Sequence, residues 1–345
     1  MESIKSLEDI KDIKVSELEK KLVSANHEDI LRGLTTDVYF VRTLDILKHM
    51  ELDETEVTAE IFARKEGIFV GIEEVKEILK DKDIELWALD EGERFKPKDT
   101  LVRIKGKYNE FAIYESVILG CLASPSGWAT AADEVKKACD GSDFVVFGTR
   151  HLHPSVSTVM ERAAYIGGAS SVSNVLAGKR LGIEPTGTLP HASFIIAGDT
   201  VKVAKAYNEI SPENHKRIIL VDTFKDEVEE SLRVAEALGE NLYAIRLDTP
   251  SERGGVSPEL VKEVRHHLDM KGYKWVKIFV SGGLTPDRIK ELKAAGADNF
   301  GVGSYISGAR AIDMTMDIKE VNGEPIAKRG RLPGIVENDN IKKIK

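Results

Sequence analysis

Residues 144–154, FVVFGTRHLHP, decide the fold, because a short apolar run ends there in small and polar residues. The arrangement recurs as far as Gly303, in GTLPHASF at 187–194, RIILVDTF at 217–224, LYAIRLDTP at 242–250, KIFVSGGL at 277–284 and DNFGVGS at 298–304. Among these runs, GTLPHASF has the weakest strand pattern. Such runs, separated by amphipathic helices, predict parallel strands of a barrel or an open sheet, with the chemistry at the carboxyl ends of the strands.

Helix signals stand between the runs. Thr285-Pro286 places a capping hydroxyl and a first-turn proline before DRIKELKAAGA, which closes at Gly296. Ser257-Pro258 repeats this arrangement before ELVKEVRHHLDMKG. With further helices predicted after Pro154 and Asp222, helices and strands alternate from about residue 112 to 309. This alternation predicts parallel β/α packing.

The remaining sequence predicts a second unit. Residues 35–109 are expected to form an α+β unit, with a helix at 66–80, EGIFVGIEEVKEILK, and a pair of short strands within 84–108. Asn322-Gly323 predicts a hairpin turn whose strands return to that unit. The expected fold class is therefore α/β. It comprises an N-terminal α/β sandwich with a leading helical segment (1–111), an incomplete β/α barrel (112–309) and a C-terminal segment (310–345) that completes the sandwich.

Composition limits the function classes. The chain has 345 residues, of which 42% are hydrophobic and 31% charged, and it has no apolar run long enough to span a bilayer. Its charged amino-terminal stretch is unlike a signal peptide, which predicts a cytoplasmic protein. The net charge of −9 gives no basic footprint for nucleic acid, and Cys121 and Cys139 form no CxxC pair. An anionic small molecule would therefore need local cations.

Glycine-rich strand ends predict a phosphate site. Gly282 and Gly283 end one run, and Gly301 and Gly303 end the next. Glycine lets backbone N–H groups approach an anion closely, and the first loop leads into a helix amino terminus. Loops after the late strands of barrels are a frequent phosphate site. The alternative is that both loops are plain tight turns.

Charged residues and one histidine at other strand ends supply the remaining candidates. Arg150 and Arg246 could pair bidentately with a carboxylate or phosphate. Asp222 and Asp248 could hold a magnesium ion or ribose hydroxyls. The alternative is that these four side chains pair with one another as structural salt bridges. His191, after a proline-fixed turn, is the leading candidate for a reacting imidazole.

Two further histidines are expected to be structural. His151 and His153 flank Leu152 and could suggest metal ligands, but no acidic or cysteine partner lies nearby in the sequence. A packing or hydrogen-bonding role is the favoured interpretation for both.

The ordered set of motifs resembles nicotinate phosphoribosyltransferases over about residues 33 to 334. The motifs are TTDVYF at 35–40, FGTRHLHP at 147–154, SSVSNVLAG at 170–178, GTLPHA at 187–192, VDTF at 221–224, RLDT at 246–249, SGGL at 281–284, GVGS at 301–304 and KRGRLPG at 328–334. The resemblance implies the type II phosphoribosyltransferase fold. It also implies formation of nicotinate mononucleotide and diphosphate from nicotinate and phosphoribosyl diphosphate in NAD biosynthesis.

The resemblance implies roles for individual residues. Tyr39, donated by a neighbouring subunit, and Phe147 would stack on the two faces of the pyridine ring, so the smallest active unit would be a homodimer. Arg150 and Arg246 would anchor the substrates, and the four loop glycines would hold the 5′-phosphate. Catalytic roles fall to His191, Asp222 and Asp248, the two aspartates also holding Mg²⁺. The residues expected to approach the diphosphate are Arg310, Lys328, Arg329 and Arg331.

The implied mechanism is attack of the pyridine nitrogen at C1 of the ribose as diphosphate leaves. ATP hydrolysis through a phosphorylated His191 would drive it, so ATP is an expected co-substrate and the activity is ligase-like. Lys179 and Arg180 stand where an acidic residue would favour nicotinamide, which favours the acid over the amide.

Two alternatives stay open. Quinolinate phosphoribosyltransferase, a decarboxylating enzyme, shares the fold but uses basic residues directly after the arginine, where this chain has His151 and Leu152. A barrel of another class, either an aldolase or a pure phosphate-binding protein, would also use glycine loops. No lysine stands at the strand ends above, which argues against an aldolase.

Overall fold

The computed structural model describes residues 3–16 and 18–345. The chain forms two compact units, one comprising residues up to Ala129 together with Arg310–Lys345, and the other Thr130–Ala309. The division falls inside the helix Glu115–Cys139, downstream of the expected boundary at residue 111. Within the described ranges, no helix combines the length and apolar character that a bilayer crossing requires.

Helices and short strands alternate along most of the chain. The helices are α1 Leu7–Lys11, α2 His27–Leu31, α3 Val38–His49, α4 Ile72–Ile78, α5 Tyr108–Phe111, α6 Glu115–Cys139, α7 Pro154–Ile166, α8 Val175–Leu181, α9 His191–Ala197, α10 Thr200–Ile210, α11 Glu227–Leu238, α12 Pro258–Met270, α13 Pro286–Ala294 and α14 Ser304–Ser307. The strands are β1 Glu56–Ala63, β2 Gly67–Ile68, β3 Ile84–Ala88, β4 Arg94–Phe95, β5 Thr100–Lys107, β6 Asp143–Val146, β7 Ser171–Val172, β8 Arg217–Leu220, β9 Leu242–Leu247, β10 Lys277–Ser281, β11 Asn299–Val302, β12 Met314–Val321, β13 Glu324–Pro325 and β14 Lys342–Lys343.

The first unit contains an antiparallel sheet that the end of the chain completes. Its strand order is β13-β12-β1-β5-β3-β14, so both edges of the sheet come from the C-terminal segment. The turn between β12 and β13 has positive φ at Asn322 (51°) and Gly323 (80°), as a type I′ hairpin requires. The predicted completion of the N-terminal sandwich by the tail is confirmed.

The helix predicted at 66–80 is shorter than expected. Residues 67–68 form β2, and α4 begins only after Gly71. Gly71 has a φ of 109°, and a Cβ there would lie 1.9 Å from the carbonyl oxygen of Cys121. Residues 68–70, which lead to this close approach to the backbone of α6, are buried. Tertiary packing therefore overrides the helix pattern of the local sequence before residue 72.

The second unit contains a six-stranded parallel sheet in the order β7-β6-β11-β10-β9-β8. β7 and β8 stand at opposite ends of this order, so the sheet does not close. In sequence, helices α7 to α13 lie between its strands, with α8, α9 and α10 all between β7 and β8. The predicted incomplete β/α barrel is confirmed. On its inner side, Val145, Ile218, Ala244 and Phe279 form a buried apolar cluster.

The strand predicted at GTLPHASF is wrong. Residues 184–190 have no regular secondary structure, and His191 is the first residue of α9. Pro185 and Pro190 lack the N–H groups that a central strand would donate. One ladder-like bond remains, from the Thr186 N–H to the Val172 carbonyl at 2.8 Å. The segment thus follows β7 as a loop, and His191 does not follow a strand end.

Candidate active site

The parallel sheet of the second unit places most candidate residues along one edge. Phe147 and Arg150 follow β6, Asp248 follows β9, and Asp222 comes two residues after β8. The glycine pairs 282–283 and 301–303 lie at the ends of the adjacent strands β10 and β11. Because parallel strands end on the same side of a sheet, these residues share its carboxyl edge.

Arg246 is the centre of a hydrogen-bonded cluster. Its Nε donates to Oγ of Ser281 at 2.7 Å, one terminal nitrogen donates to Oγ1 of Thr188, and the other lies 3.1 Å from Oδ2 of Asp248. The guanidinium carbon lies 5.3 Å from the centre of the Phe147 ring. The fork of the guanidinium is therefore fixed at three points beside an aromatic face.

Asp248 is held on both of its oxygens. The Ser281 hydroxyl, which accepts from Arg246, donates to Oδ1 of Asp248 at 2.7 Å. The Arg246–Asp248 pair is the structural salt bridge that the sequence left open as an alternative. Its side chains keep 15% and 23% exposure, so the pair still reaches solvent at the edge of the sheet.

Asp222 and His191 form the second pair. Oδ2 of Asp222 lies 3.1 Å from Nε2 of His191, whose side chain is 40% exposed, whereas the Asp222 side chain is fully buried. Within the described part of the chain, Oδ1 of Asp222 and Oγ1 of Thr223 are buried without a hydrogen-bond partner. Burial raises the pKa of the Asp222 carboxyl, the hydrogen bond with His191 opposes this shift, and nearby Asp248 adds to it.

The two pairs of glycines at the sheet edge meet different physical requirements, one for backbone conformation and the other for close packing. Gly282 and Gly283 have φ values of 93° and 61°, which L side chains rarely adopt. Gly301 makes room for a neighbour, because a Cβ there would lie 2.4 Å from the Phe147 ring. A Cβ at Gly303 would lie 2.8 Å from the Phe147 carbonyl oxygen. Packing around Phe147 thus explains the second pair, and phosphate binding by all four stays a prediction.

Of the charged and imidazole side chains after Phe147, Arg150 is an exposed cation, whereas His151 and His153 make structural hydrogen bonds. Arg150 is exposed in a 3₁₀ helix, Thr149–His151, and its guanidinium has no hydrogen-bond or ion-pair partner in residues 3–16 and 18–345. Nδ1 of His151 lies 3.0 Å from Oγ of Ser307, and His153 caps α7 by accepting from the Ser155 N–H. Both histidines thus make the hydrogen bonds expected of them, and Arg150 is available to an anion.

The candidates in the first unit have different surroundings. Tyr39 lies on α3 with 54% exposure, and its ring centre is 4.3 Å from that of Phe40. Lys328 and Arg331 each lie 2.8 Å from the buried carboxylate of Asp317, which neutralises part of their charge. Arg310 and Arg329 are exposed.

The sequence did not single out three residues that the structure adds. Thr188 and Ser281 hold Arg246, and both lie inside quoted motifs, GTLPHA and SGGL. Glu161 lies inside α7 and binds the loops after β6 and β7. A glutamate in a helical pattern gives no signal that distinguishes it from a solvated one, so Glu161 could not have been found from the sequence.

Family comparisons match most of the chain. The family described as quinolinate phosphoribosyl transferase matches in two parts, its N-terminal domain over residues 37–126 and its C-terminal domain over residues 128–317. The chain belongs to the quinolinate phosphoribosyl transferase family. Members of this family share the fold described above, and the resemblance based on the sequence motifs is confirmed at this level.

Individual relatives carry two different names. A nicotinate phosphoribosyltransferase of Mycobacterium tuberculosis is 30% identical over 256 residues, which cover 72% of this chain and 55% of the relative. A probable carboxylating nicotinate-nucleotide pyrophosphorylase of Methanothermobacter thermautotrophicus is 22% identical over 298 residues, covering 84% and 98%. The crystal structure of a nicotinate-nucleotide pyrophosphorylase from Pyrococcus furiosus has a TM-score of 0.87 and 43% identity, covering 94% and 82%. The chain thus spans little more than half of the M. tuberculosis relative.

Proposed function

We propose that this chain is a nicotinate phosphoribosyltransferase. It would join nicotinate to the ribose of phosphoribosyl diphosphate and release diphosphate, as a step of NAD biosynthesis. The observation that carries this proposal is the Arg246 cluster. Its fixed guanidinium lies beside the Phe147 ring at the same sheet edge as the exposed Arg150. An aromatic face with cations at its edge suits a flat ring that bears one carboxylate.

The balance of charge supports a substrate with one carboxylate. Asp248 already neutralises part of Arg246, whereas Arg150 at the same edge is a cation without a partner among the described residues and is free for a substrate acid. Of the next two positions, His151 contacts Ser307 through Nδ1 and Leu152 is apolar, so neither is a lysine or an arginine. Quinolinate carries a second carboxylate, which would need a further positive group.

The aspartates fit the proposed magnesium ion in part. The described residues contain no cluster of three or more acidic, histidine or cysteine side chains that could form a complete protein cage. Mg²⁺ commonly takes one or two carboxylates together with substrate phosphates and water. The unsatisfied Oδ1 of Asp222 suits such a ligand, whereas both oxygens of Asp248 already have protein partners. A bound Mg²⁺ would neutralise charge on the leaving diphosphate.

The reaction itself requires little proton transfer. The pyridine nitrogen has a free lone pair at neutral pH, so it can attack C1 directly. Phe147 and Arg246 would orient the ring, and Arg150 would anchor its carboxylate. Gly282 and Gly283 present backbone to the 5′-phosphate, and Asp222 accepts hydrogen bonds from the ribose hydroxyls. The contribution of these residues is therefore alignment of two bound anions.

His191 is proposed to couple the reaction to ATP through a phosphohistidine. A carboxylate can only accept a hydrogen bond, so the contact with Asp222 assigns the hydrogen of the imidazole to Nε2 and leaves the lone pair on Nδ1. The exposed fraction of the ring leaves it open to solvent. Nδ1 would then be the nucleophile toward the γ-phosphate.

Tyr39 is proposed to act across a subunit interface. Its ring is exposed on α3, next to the exposed Val38. In the proposed homodimer, the partner subunit's Tyr39 covers the face of the pyridine ring opposite Phe147. This arrangement would exclude water from the ring.

Quinolinate phosphoribosyltransferase is the second candidate. The name of the matching family and the names of the P. furiosus and M. thermautotrophicus relatives favour it. The deciding experiment incubates the purified protein with phosphoribosyl diphosphate and Mg²⁺, and with nicotinate, nicotinamide or quinolinate, each with and without ATP. Mononucleotide formation with nicotinate, but not with nicotinamide or quinolinate, supports the proposal. Carbon dioxide release from quinolinate, without turnover of nicotinate, overturns it.

A further inference from the structure

The buried carboxylate of Glu161 joins the loops that follow β6 and β7. Its side chain is fully buried on α7. Oε2 accepts from the backbone N–H groups of Ser173 and Asn174, both at 2.7 Å. Oε1 accepts from the hydroxyls of Ser173, at 2.8 Å, and of Thr149. Four neutral donors thus satisfy one buried carboxylate, which spans two strand ends.

Besides Glu161, a longer side-chain bond joins the two loops, from Nδ2 of Asn174 to Oγ1 of Thr149 at 3.4 Å. β6 and β7 pair at only two positions, Val145 with Ser171 and Val146 with Val172. Beyond these pairs, one segment leads to Arg150 and the other to the start of α8 at Val175. Thr149 immediately precedes Arg150, so the bond from Thr149 to Glu161 acts on the short turn that carries this arginine. Within the described residues, the exposed guanidinium has no hydrogen-bond or ion-pair partner that would hold it.

We propose that Glu161 is a positioning residue for Arg150 and thereby sets the affinity for the carboxylate of the pyridine acid. Glu161 does not touch the substrate. It fixes the backbone from which Arg150 reaches the substrate, and it ties that backbone to the β7 loop. This inference rests on the proposed function, in which Arg150 binds the acid.

The chemistry of the four donors predicts which substitution is tolerated. The two N–H groups can only donate, whereas the two hydroxyls can rotate and accept. In Glu161→Gln, the amide oxygen can take the place of Oε2 and the amide nitrogen can donate to both hydroxyls. Glu161→Gln therefore preserves the connection between the loops. Glu161→Ala removes it and leaves two buried N–H groups without a partner.

The test measures KM for the acid, together with kcat and Tm, in the full chain. We expect Glu161→Ala to raise the KM for the acid that wild type turns over by about tenfold or more, with a much smaller change in kcat, because a buried hydrogen-bond network is lost. Glu161→Gln should stay within about threefold of wild type. Glu230→Ala is the matched control, since Glu230 is equally buried on α11 and binds Arg233. It should lower Tm and leave KM unchanged.

A double substitution separates positioning from a general loss of stability. If Glu161 acts through Arg150, then Arg150→Ala with Glu161→Ala should have the KM of Arg150→Ala alone, because the two effects are not independent. Additive effects, an unchanged KM in Glu161→Ala, or an equal KM rise in Glu161→Gln would each overturn the inference. If Glu161→Ala does not fold, Thr149→Val decides in its place, and an unchanged KM in that variant would overturn the inference as well.

The outcome for wild type is read separately. A wild type that turns over none of the pyridine acids overturns the proposed function and this inference together. Turnover by wild type with unaltered KM values in the variants overturns the inference alone.

Discussion

Oδ2 of Asp222 lies 3.1 Å from Nε2 of His191, while Oδ1 of the same carboxyl is buried without a partner in residues 3–16 and 18–345. An unsatisfied buried acceptor is costly, and such groups concentrate at functional sites. The same carboxyl thus contacts the histidine through one oxygen and has no protein partner for the other. This relationship motivates the first prediction.

Substitution of His191 should separate ATP use from nucleotide synthesis. In His191→Ala, we expect stimulation by ATP to be lost and slow ATP-independent synthesis to remain, because the imidazole is proposed to accept the phosphoryl group and not to bind the acid. Initial rates with and without ATP measure this. His266→Ala, which changes an exposed histidine on α12, is the control and should respond to ATP like wild type. Undiminished stimulation in His191→Ala would reject the phosphohistidine.

Arg246→Lys should weaken binding of the acid although it keeps the charge. A lysine ammonium cannot reach Thr188, Ser281 and Asp248 in the planar fork that Arg246 uses. We expect KM for the acid to rise by about ten- to a hundredfold, as for loss of charge-assisted hydrogen bonds. Arg233→Lys, at an arginine that binds the carboxylates of Asp199, the N-cap of α10, and of Glu230 on α11, should leave KM unaltered. A wild-type KM in Arg246→Lys would contradict the assigned role.

Gly301→Ala should disturb the aromatic wall of the site. The added Cβ would lie 2.4 Å from the Phe147 ring, so the ring must move. Overpacking of this kind costs about 1–3 kcal/mol, and we also expect a higher KM for the acid. Gly120→Ala is the contrast, because its Cβ would have no described atom within 4 Å and it lies inside α6, where alanine is favoured. Chemical denaturation of both variants tests the difference, and equal stability changes would refute the packing argument.

Glu115 should make the stability of the protein depend on pH near neutrality. Burial raises the pKa of its carboxyl from 4.5 to about 7, and the Asp317 carboxylate adds to the shift while Lys328 opposes it. Between these values the folded state binds more protons than the unfolded state, so the free energy of unfolding falls as pH rises from 4.5 to 7.

Glu115→Gln should remove that dependence. We expect the variant to match wild type near pH 4 and to exceed its unfolding free energy at pH 8 by on the order of 1 kcal/mol, after allowing for solvent screening. Thermal unfolding across this range is the measurement, with the exposed Glu324→Gln as control. A variant less stable than wild type at pH 8 would contradict the expected sign.

Periodic and turn signals predicted most of the fold. Most side chains of the runs at β6, β8, β9, β10 and β11 are apolar and buried, as expected for strands of a covered parallel sheet. The caps at Thr285 and Ser257 and the turn at Asn322-Gly323 form as local chemistry requires. β7 contains only two residues, too few to give a periodic signal, and at Gly71 a contact with α6 decides the conformation.

The site was predictable as a set of strand ends but not as a set of contacts. Parallel topology alone brings Asp248 and Gly282 to one edge. By contrast, the bond from Arg246 to Thr188 joins residues 58 positions apart, through a loop that the sequence presented as a weak strand. Likewise, the tie from Glu161 to Ser173 depends on how α7 packs, which periodicity does not describe.

The pairing of β1 with β12 means that the first unit can complete its sheet only late in synthesis of the chain. Thr58 donates to Glu320, 262 residues later, and the whole of the second unit is translated between them. The contiguous second unit is therefore synthesised while β1 still lacks its partner strand β12. Unpaired strand edges favour association with other chains. We expect nascent chains arrested before residue 314 to carry a folded barrel and to aggregate or bind chaperones through the unfinished sandwich.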